Sequence, residues 1–159
     1  ACRDRIRVYA HCQGLQSYAA TASARELLAQ GFTAMKTGIG EIPVRTLENP
    51  AWFEKVVSRF AAIREVVGPE IDLAIDFHGQ VGPAVAIQLA RALEPYHPMF
   101  IEEPCLPENV DAMVTVARST PIPIATGERL FTKWGFREVL EKQAAAVVQP
   151  DLCHAGGIL

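Results

Sequence analysis

The sequence of 159 residues lacks both glycine-rich signatures of nucleotide-binding folds, G-x-G-x-x-G and G-x-x-x-x-G-K-[S/T]. It also lacks any apolar run near the ~20 residues that a membrane-spanning helix needs. Its charges are interspersed and sum to −3, without the basic stripe of a nucleic-acid-binding protein or the basic amphipathic helix of a membrane-surface protein. We therefore expect neither a nucleic acid nor a membrane among its partners.

Cysteine is scarce and is not spaced as in a disulfide framework or a zinc site. The four cysteines, Cys2, Cys12, Cys105 and Cys153, show no C-x-x-C pattern, and no Cys/His cluster has the spacing of zinc ligands. A hydrophobic content of 50% is ample for a core that needs no disulfide bonds. We expect reduced thiols and a cytoplasmic location.

Short apolar, β-branched segments alternate with stretches of helical period. The predicted strands cover residues 6–10, 32–37, 71–76, 99–103, 122–128 and 145–151. The predicted helices cover residues 22–30, 50–67, 83–95, 107–119 and 134–143. Asn49 and Pro50 before the second helix and Gly68 after it are typical start and stop signals. Apolar strands that alternate with helices predict an α/β fold with a parallel sheet covered on both faces.

A polar residue follows or ends five of the predicted strands: Lys36, Asp76, Glu102 with Glu103, Glu128, and Asp151. In an open sheet only the strand ends near a switch point face a ligand, whereas in a barrel all strand ends converge on one mouth. The pattern therefore favours an incomplete TIM-type barrel. A complete barrel has eight strands and typically ~250 residues, so we expect residues 1–159 to be a barrel-domain fragment that holds strands 1 to 6.

Three of these acids recur at equal intervals, because Asp76, Glu102 and Glu128 are each separated by 26 residues. One interval corresponds to one βα unit, so we expect the three at equivalent heights on neighbouring strands. A single acid at a strand end is more often a helix N-cap or a solvated loop residue, but three together repel one another unless a cation lies between them. Oxygen ligands favour a hard ion, which predicts Mg²⁺, with Mn²⁺ as a possible substitute. Glu103 points the opposite way and is predicted to be structural.

Four motifs, IDFHG, FIEEP, TGER and QPDLCHAGGI, in this order and spacing, resemble the enolase superfamily. More narrowly, they resemble the mandelate racemase subgroup with its dehydratases of galactonate-like sugar acids, over essentially the whole chain. The resemblance implies a (β/α)₇β barrel, whose strands 7 and 8 and N-terminal capping domain lie outside this sequence. It also implies that Mg²⁺ is held by the acids ending strands three to five, which match Asp76, Glu102 and Glu128.

The resemblance implies a carbon–oxygen lyase of carbohydrate metabolism that dehydrates a sugar acid to a 2-keto-3-deoxy acid. A proton α to a carboxylate is hard to remove because the product carries a second negative charge, which a bound metal stabilises. His78 matches the general acid that protonates the departing β-hydroxyl, with a histidine packed near the core as the alternative. Asp151 matches the acid that orients a His base on strand 7, beyond Leu159. Lying two apart on a strand, Asp76 and His78 should face the same side.

Four further residues are predicted to bind substrate: Lys36, Arg129, His11 and His154. Lys36 matches the first Lys of the K-x-K motif of the subgroup, and Gly38 stands at the base position of that motif. Arg129 is expected to contact a substrate carboxylate or hydroxyl, or to form a salt bridge to a neighbouring strand. His11 is expected to touch substrate or to pack, and a loop-structural role is the stronger alternative for His154.

Two other functions stay open at this point. One is a racemase, epimerase or cycloisomerase of the same superfamily, against which Gly38 and His78 both argue, since one base is missing and an acid is added. The other is a non-catalytic barrel relative that binds metal. The resemblance suggests a homo-oligomer, by analogy alone. We also expect that residues 1–159 by themselves, without strands 7 and 8, are neither well folded nor active.

Overall fold

The computed structural model describes residues 4–40 and 49–157. Its strands are β1 (Ala10–His11), β2 (Ala34–Gly38), β3 (Asp72–Asp76), β4 (Ile101–Glu102), β5 (Ile124–Thr126) and β6 (Val147–Val148). Its helices are α1 (Ser17–Ala29), α2 (Pro50–Val67), α3 (Pro83–Leu93), α4 (Val110–Ala117), α5 (Thr132–Gly135), α6 (Arg137–Glu141) and α7 (Leu152–Ala155). The strands form one sheet in the order β1-β2-β3-β4-β5-β6, and every neighbouring pair is parallel. This confirms the predicted α/β fold with six consecutive barrel strands.

The strands present alternate residues to two different cores, as the period of two demands. Leu73 and Ile75 of β3 are fully buried against the helices on the outer face. Ala74, between them, packs on the other face with Phe100 and Ala125. Two of these three inner residues, Ala74 and Ala125, have small side chains, and Phe100 is the large side chain between the strands that carry them.

A contact across the inner face shows that the sheet is curved. Tyr9, next to β1, packs edge-on against Phe100 with ring centroids 6.2 Å apart. Its hydroxyl accepts a hydrogen bond from Nε2 of Gln149, which follows β6, at 2.9 Å. Because β1 and β6 are the two outer strands of the sheet, this hydrogen bond joins its edges, as expected of a partial barrel.

Local sequence explains where α2, the longest helix of the described residues, begins and ends. The Asn49 side chain accepts hydrogen bonds from the backbone N–H groups of Ala51 and Trp52, at 3.0 and 3.3 Å. Pro50 occupies the first turn of α2, where no N–H donor is needed, and Gly68 ends the helix with φ 75°. These residues act as the sequence predicted.

Several elements differ in their bounds from the sequence prediction, among them β1, β4 and the helix expected over residues 134–143. Strand β1 was expected over residues 6–10, but pairing with β2 starts only at Ala10, and Ile6 is 75% exposed. Strand β4 stops at Glu102 because Glu103 takes a left-handed φ of 40°, which no strand continues. The helix expected over 134–143 is divided into α5 and α6, with the break beside Gly135, a weak helix former.

Neither of the two described ranges contains a helix that is both long and apolar enough to cross a bilayer. The cysteines within them, Cys12, Cys105 and Cys153, are free thiols, and Cys2 lies outside the described residues. Burial raises the pKa of the Cys12 and Cys105 thiols, which keeps both in the neutral form. These two cysteines therefore act as small core residues.

Gly127 allows β5 and β6 to approach each other, and its substitution tests the fold. A Cβ at this position would lie 2.8–2.9 Å from the N, C and O atoms of Gln149, and the φ of 145° is rarely adopted by other residues. We expect Gly127→Ala to lower the free energy of unfolding of the full-length protein by at least about 2 kcal/mol, measured by urea denaturation. Gly135→Ala is the matched control, because its nearest contact would be an ordinary 3.5 Å. Equal stability of the two variants would contradict the described approach of the strands.

Candidate metal and acid–base site

Two buried carboxylates lie side by side at the carboxyl ends of β3 and β4. The register of the two strands pairs Asp76 with Glu102, and their side chains are only 1% and 2% exposed. Lys36 of β2 reaches both: its Nζ lies 3.1 Å from Asp76 Oδ2 and 2.6 Å from Glu102 Oε2. Three neighbouring strands thus contribute one charged side chain each to a single ion cluster, defined here as Lys36, Asp76 and Glu102.

Burial and the neighbouring charges shift the pKa of two members of this ion cluster, Lys36 and Glu102. Burial lowers the pKa of the Lys36 ammonium, but the hydrogen bond that Lys36 donates to Glu102 and the charges of Asp76 and Glu102 outweigh burial and raise it. Burial also raises the pKa of Glu102, and the nearby Asp76 charge adds to that effect, while Lys36 opposes it. One ammonium is therefore shared between two carboxylates, in a site that favours more positive charge.

The donor chemistry of the ion cluster fits a hard divalent cation. Its carboxylate oxygens are the ligands that Mg²⁺ prefers, and both are placed by strands rather than by loops. Two buried carboxylates beside one ammonium would gain from a second positive charge. Asp76 and Glu102 are therefore the residues that would hold such an ion.

Glu128 does not lie at the height of the other two acids, contrary to the sequence prediction. The register pairs Glu102 with Ala125, so Glu128 comes three residues later, in a turn closed by the hydrogen bond from Leu130 N to Gly127 O at 3.0 Å. The equal spacing in sequence does not give equal heights in the sheet, because level positions on β4 and β5 are separated by fewer residues than level positions on β3 and β4. Within residues 4–40 and 49–157, no three His, Cys, Asp or Glu side chains stand together as a metal site. The three-ligand set stays a prediction.

His78 contacts Asp76, but through a turn and not through strand alternation. Strand β3 ends at Asp76, and His78 has a left-handed φ of 50°. Its backbone N–H donates to Asp76 Oδ1 at 2.8 Å, and its ring Nε2 lies 3.2 Å from Asp76 Oδ2. The side chain is 47% exposed, so the imidazole is open to solvent on one side and rests on a buried carboxylate on the other.

Arg129 forms the salt bridge to a neighbouring strand that was one of its two predicted roles. Its Nε donates to Glu103 Oε1 at 2.9 Å, and its Nη2 lies 2.8 Å from Glu103 Oε2. Nη2 also donates to the backbone carbonyl of His78 at 3.0 Å. Glu103 is completely buried, which agrees with its predicted structural role.

Asp151 and His154 lie just after β6, where each makes a local contact. The Asp151 carboxylate caps α7 by accepting from the N–H groups of Cys153 and His154, at 2.7 and 3.2 Å. These two hydrogen bonds lower the pKa of Asp151. The Nδ1 of His154 lies 2.9 Å from the carbonyl oxygen of Glu128, and its ring stacks on Phe131 at 4.6 Å. His154 therefore joins the ends of β5 and β6, which is the loop-structural alternative.

His11 and Tyr9 flank the ion cluster on its β1 side. His11 is level with Lys36 in the sheet, and partial burial together with the Lys36 charge lowers its pKa. The Tyr9 ring lies 5.4 Å from Lys36 Nζ in a cation–π contact. A role for Tyr9 in the site was not predicted, because nothing in the pattern of residues 6–10 shows that this aromatic ring turns toward β2. Gly38, which ends β2 beside Asp76, has no side chain to contribute.

A family model described as "Enolase C-terminal domain-like" matches residues 19–159 of the chain. Among curated proteins, a D-galactonate dehydratase from Ralstonia nicotianae is 41% identical over 157 residues, which is 98% of this chain and 41% of that protein. A D-galactonate dehydratase from Xanthomonas campestris is 40% identical over 156 residues, again 98% and 41% of the two chains. The chain thus spans about two fifths of the length of these relatives.

Solved structures show the same similarity. A mandelate racemase/muconate lactonizing enzyme-like protein from Rubrobacter xylanophilus superposes with a TM-score of 0.90 at 38% identity, over 98% of this chain and 45% of that one. The 3,6-anhydro-D-galactonate cycloisomerase from Zobellia galactanivorans superposes with a TM-score of 0.83 at 32% identity, over 96% and 40% of the two chains. Both cover nearly all of the described fold.

Removal of Lys36 tests whether the ion cluster is held as described. In metal-free buffer we expect Lys36→Met to lower the free energy of unfolding of the full-length protein by about 3 kcal/mol, because two buried carboxylates lose their counter-charge. The folded-state pKa of Lys36 is raised above the usual 10.5. This contribution is therefore complete below that pH and is lost as the pH rises through the folded-state pKa.

Lys55→Met, at an exposed position of α2, is the matched control, with an expected change within about 0.5 kcal/mol. Urea denaturation at neutral pH measures both variants. If Lys36→Met were as stable as the control, the ammonium would not be compensating the two carboxylates.

Proposed function

Since the chain belongs to the enolase superfamily, in its mandelate racemase/muconate lactonizing enzyme branch, we propose that it forms part of a Mg²⁺-dependent dehydratase acting on a sugar acid such as galactonate. The product would be a 2-keto-3-deoxy acid. The observation that carries this proposal is the pair of buried carboxylates, Asp76 and Glu102, with the imidazole of His78 against one of them. The relatives named D-galactonate dehydratase support the reaction and the substrate class.

Asp76, Glu102 and Glu128 are the proposed metal ligands. Enolase-superfamily sites are known to pair Mg²⁺ with a Lys or His base. When bound, the ion would stabilise the negative charge that builds up as the α-proton of the substrate carboxylate is lost. Glu128 lies in the turn after β5, and its carbonyl oxygen is held by His154. A loop position is compatible with a ligand whose side chain orients when the ion is present.

His78 is proposed as the general acid of the elimination. As the bond from the β-carbon to its hydroxyl oxygen breaks, the imidazolium gives a proton to that oxygen, so that water leaves and the imidazole becomes neutral. The enol that remains rearranges to the 2-keto-3-deoxy acid. Two features of His78 suit this role: about half of its side chain is exposed at the strand ends, and its Nε2 lies 3.2 Å from Oδ2 of Asp76, a proposed metal ligand, which places the imidazole beside the reacting part of a bound substrate.

The base that takes the α-proton is proposed to be a histidine outside this sequence, oriented by Asp151. Asp151 follows β6 at the edge of the described sheet, the side on which a seventh strand would pair. Its Oδ1 accepts both hydrogen bonds of the α7 cap, which fixes the carboxylate in place. A fixed carboxylate is what a positioned imidazole requires.

Lys36 on β2 and His11 on β1 are the residues best placed to approach the substrate, since Lys36 belongs to the ion cluster and His11 lies level with Lys36 in the sheet. A homo-oligomer remains part of the proposal on the strength of the family resemblance, and a cytoplasmic location on the number and spacing of the cysteines. A cycloisomerase is the second candidate, because the Zobellia galactanivorans enzyme shares the fold at 32% identity. The identity of the product separates the two reactions.

The full-length protein tests the proposal directly. Incubated with a panel of sugar acids that includes galactonate, it should form a 2-keto-3-deoxy acid in the presence of Mg²⁺, detected as the semicarbazone and by mass spectrometry as a loss of water. EDTA should abolish the reaction and added Mg²⁺ should restore it. A product of unchanged mass would favour an epimerase or cycloisomerase, and turnover that survives EDTA would contradict the metal dependence.

Asp76→Asn should abolish both turnover and Mg²⁺ binding measured by calorimetry, because it removes a ligand charge from the ion cluster. Asp72→Asn is the matched control, since Asp72 begins the same strand at its opposite end and pairs with Arg7. Retention of Mg²⁺ binding by Asp76→Asn would argue against the proposed ligand set.

Substitution of His78 should separate the two halves of the reaction. His78→Asn removes the acid but not the base, so the elimination rate should fall by about 10²- to 10⁴-fold. Exchange of the substrate α-proton in D₂O, followed by NMR, should continue, because the abstracted proton is replaced by a deuteron. Loss of both exchange and elimination in a folded, Mg²⁺-binding variant would assign His78 to proton abstraction instead.

A further inference from the structure

The turn that carries His78 is held from behind by the ion pair between Arg129 and the buried Glu103. Arg129 makes two contacts with the Glu103 carboxylate, Nε to Oε1 at 2.9 Å and Nη2 to Oε2 at 2.8 Å. The same Nη2 donates to the carbonyl oxygen of His78 at 3.0 Å. Glu103 is fully buried, while the Arg129 side chain is 36% exposed. A buried carboxylate therefore fixes the guanidinium, and the guanidinium fixes the backbone of His78.

Residues 78 and 79 adopt a conformation that needs such support. His78 and Gly79 have φ values of 50° and 61°, and two successive left-handed residues are unfavourable when the first carries a side chain. Three hydrogen bonds oppose the relaxation of this turn. His78 N–H donates to Asp76 Oδ1, Gly79 N–H donates to the Glu103 carbonyl at 2.8 Å, and Arg129 binds the carbonyl between them.

Gly79 is required for the approach of Arg129. A Cβ at this position would lie 2.3 Å from Arg129 Nη2 and 3.2 Å from the Cys105 carbonyl oxygen. The guanidinium therefore occupies the space that any other residue would fill. The position of Arg129 in the GER segment therefore depends on the glycine of the FHG segment, Gly79, although 50 residues separate the two in the sequence.

We propose that Arg129 is a positioning residue for His78: through its ion pair with Glu103 it fixes the left-handed turn that sets the imidazole against Asp76. This inference rests on the proposed role of His78 as general acid, and it replaces the predicted contact of Arg129 with substrate. Its Nε and Nη2 donors are directed to Glu103 and His78. Misplacing a catalytic group by about 1 Å can cost on the order of 10²-fold in rate, so the turn itself becomes a determinant of kcat.

The positioning role of Arg129 is tested by comparing Arg129→Lys with the double variant Glu103→Gln/Arg129→Met in the full-length protein. Arg129→Lys keeps a cation beside Glu103 but not the planar fork that reaches both partners. The double variant removes both charges, so no unpaired charge is left buried. Arg118→Met, at an exposed position after α4, is the control.

The first readout is backbone hydrogen exchange, which needs no substrate. In both variants the amides of His78 and Gly79 should lose about tenfold or more of their protection, while the amide of Phe77, which donates to the Glu102 carbonyl in the sheet, should keep its own. Unchanged protection of residues 78 and 79 would overturn the inference. This readout decides the matter even if no sugar acid is dehydrated, so it separates a failure of the inference from a failure of the proposed function.

The second readout is the division between kcat and KM on a sugar acid that the wild type dehydrates. The elimination kcat should fall by about 10- to 100-fold with KM nearly constant, and α-proton exchange in D₂O should persist, as expected for His78→Asn. A raised KM with an unchanged kcat would show that Arg129 binds substrate and would overturn the inference. The Arg118→Met control should match the wild type in both readouts.

Discussion

The described structure depends on how two carboxyl groups are accommodated side by side inside a parallel sheet. Asp76 and Glu102 are almost completely buried, and each would be costly to bury alone. Lys36, on the strand next to β3, offsets part of that cost through contacts with both. The same arrangement makes the site suited to a further cation, because one ammonium does not neutralise two carboxylates. Stability and the proposed chemistry therefore rest on the same three side chains.

The barrel geometry separates the residues that stabilise the fold from those that form the site. On the outer face, Leu73, Ile75 and Ile101 pack against helices. On the inner face, Ala74, Phe100 and Ala125 pack together, and Asp76 and Glu102 follow at the carboxyl ends of β3 and β4. This is the distribution expected of a TIM-type barrel, where strands fix position and the loops after them vary. The enolase superfamily uses that division for several reactions, so the reaction must be argued from individual side chains.

Left-handed backbone conformations at the strand ends determine which way the site residues point. His78, Glu103 and Gly127 each take a positive φ within two residues of the ends of β3, β4 and β5. The turn at His78 brings its imidazole back onto Asp76, and the turn at Glu103 buries a carboxylate where Arg129 can reach it. Strained turns of this kind persist only when several contacts hold them. That requirement explains why an ion pair with a buried carboxylate, Glu103 with Arg129, lies directly behind the candidate acid.

The sequence alone determined the alternation of strands and helices, the caps of α2, and the adjacency of Asp76 and Glu102. These features depend on local periodicity, on side chains near a helix end, and on one βα unit of ordinary length. Only the tertiary structure decided the height of Glu128, the route by which His78 meets Asp76, and the choice of Glu103 as the partner of Arg129. Each of these depends on sheet register or on a left-handed φ, and both arise from contacts between segments that are distant in the chain. Sequence spacing counts residues, whereas register and turn geometry determine where their side chains meet.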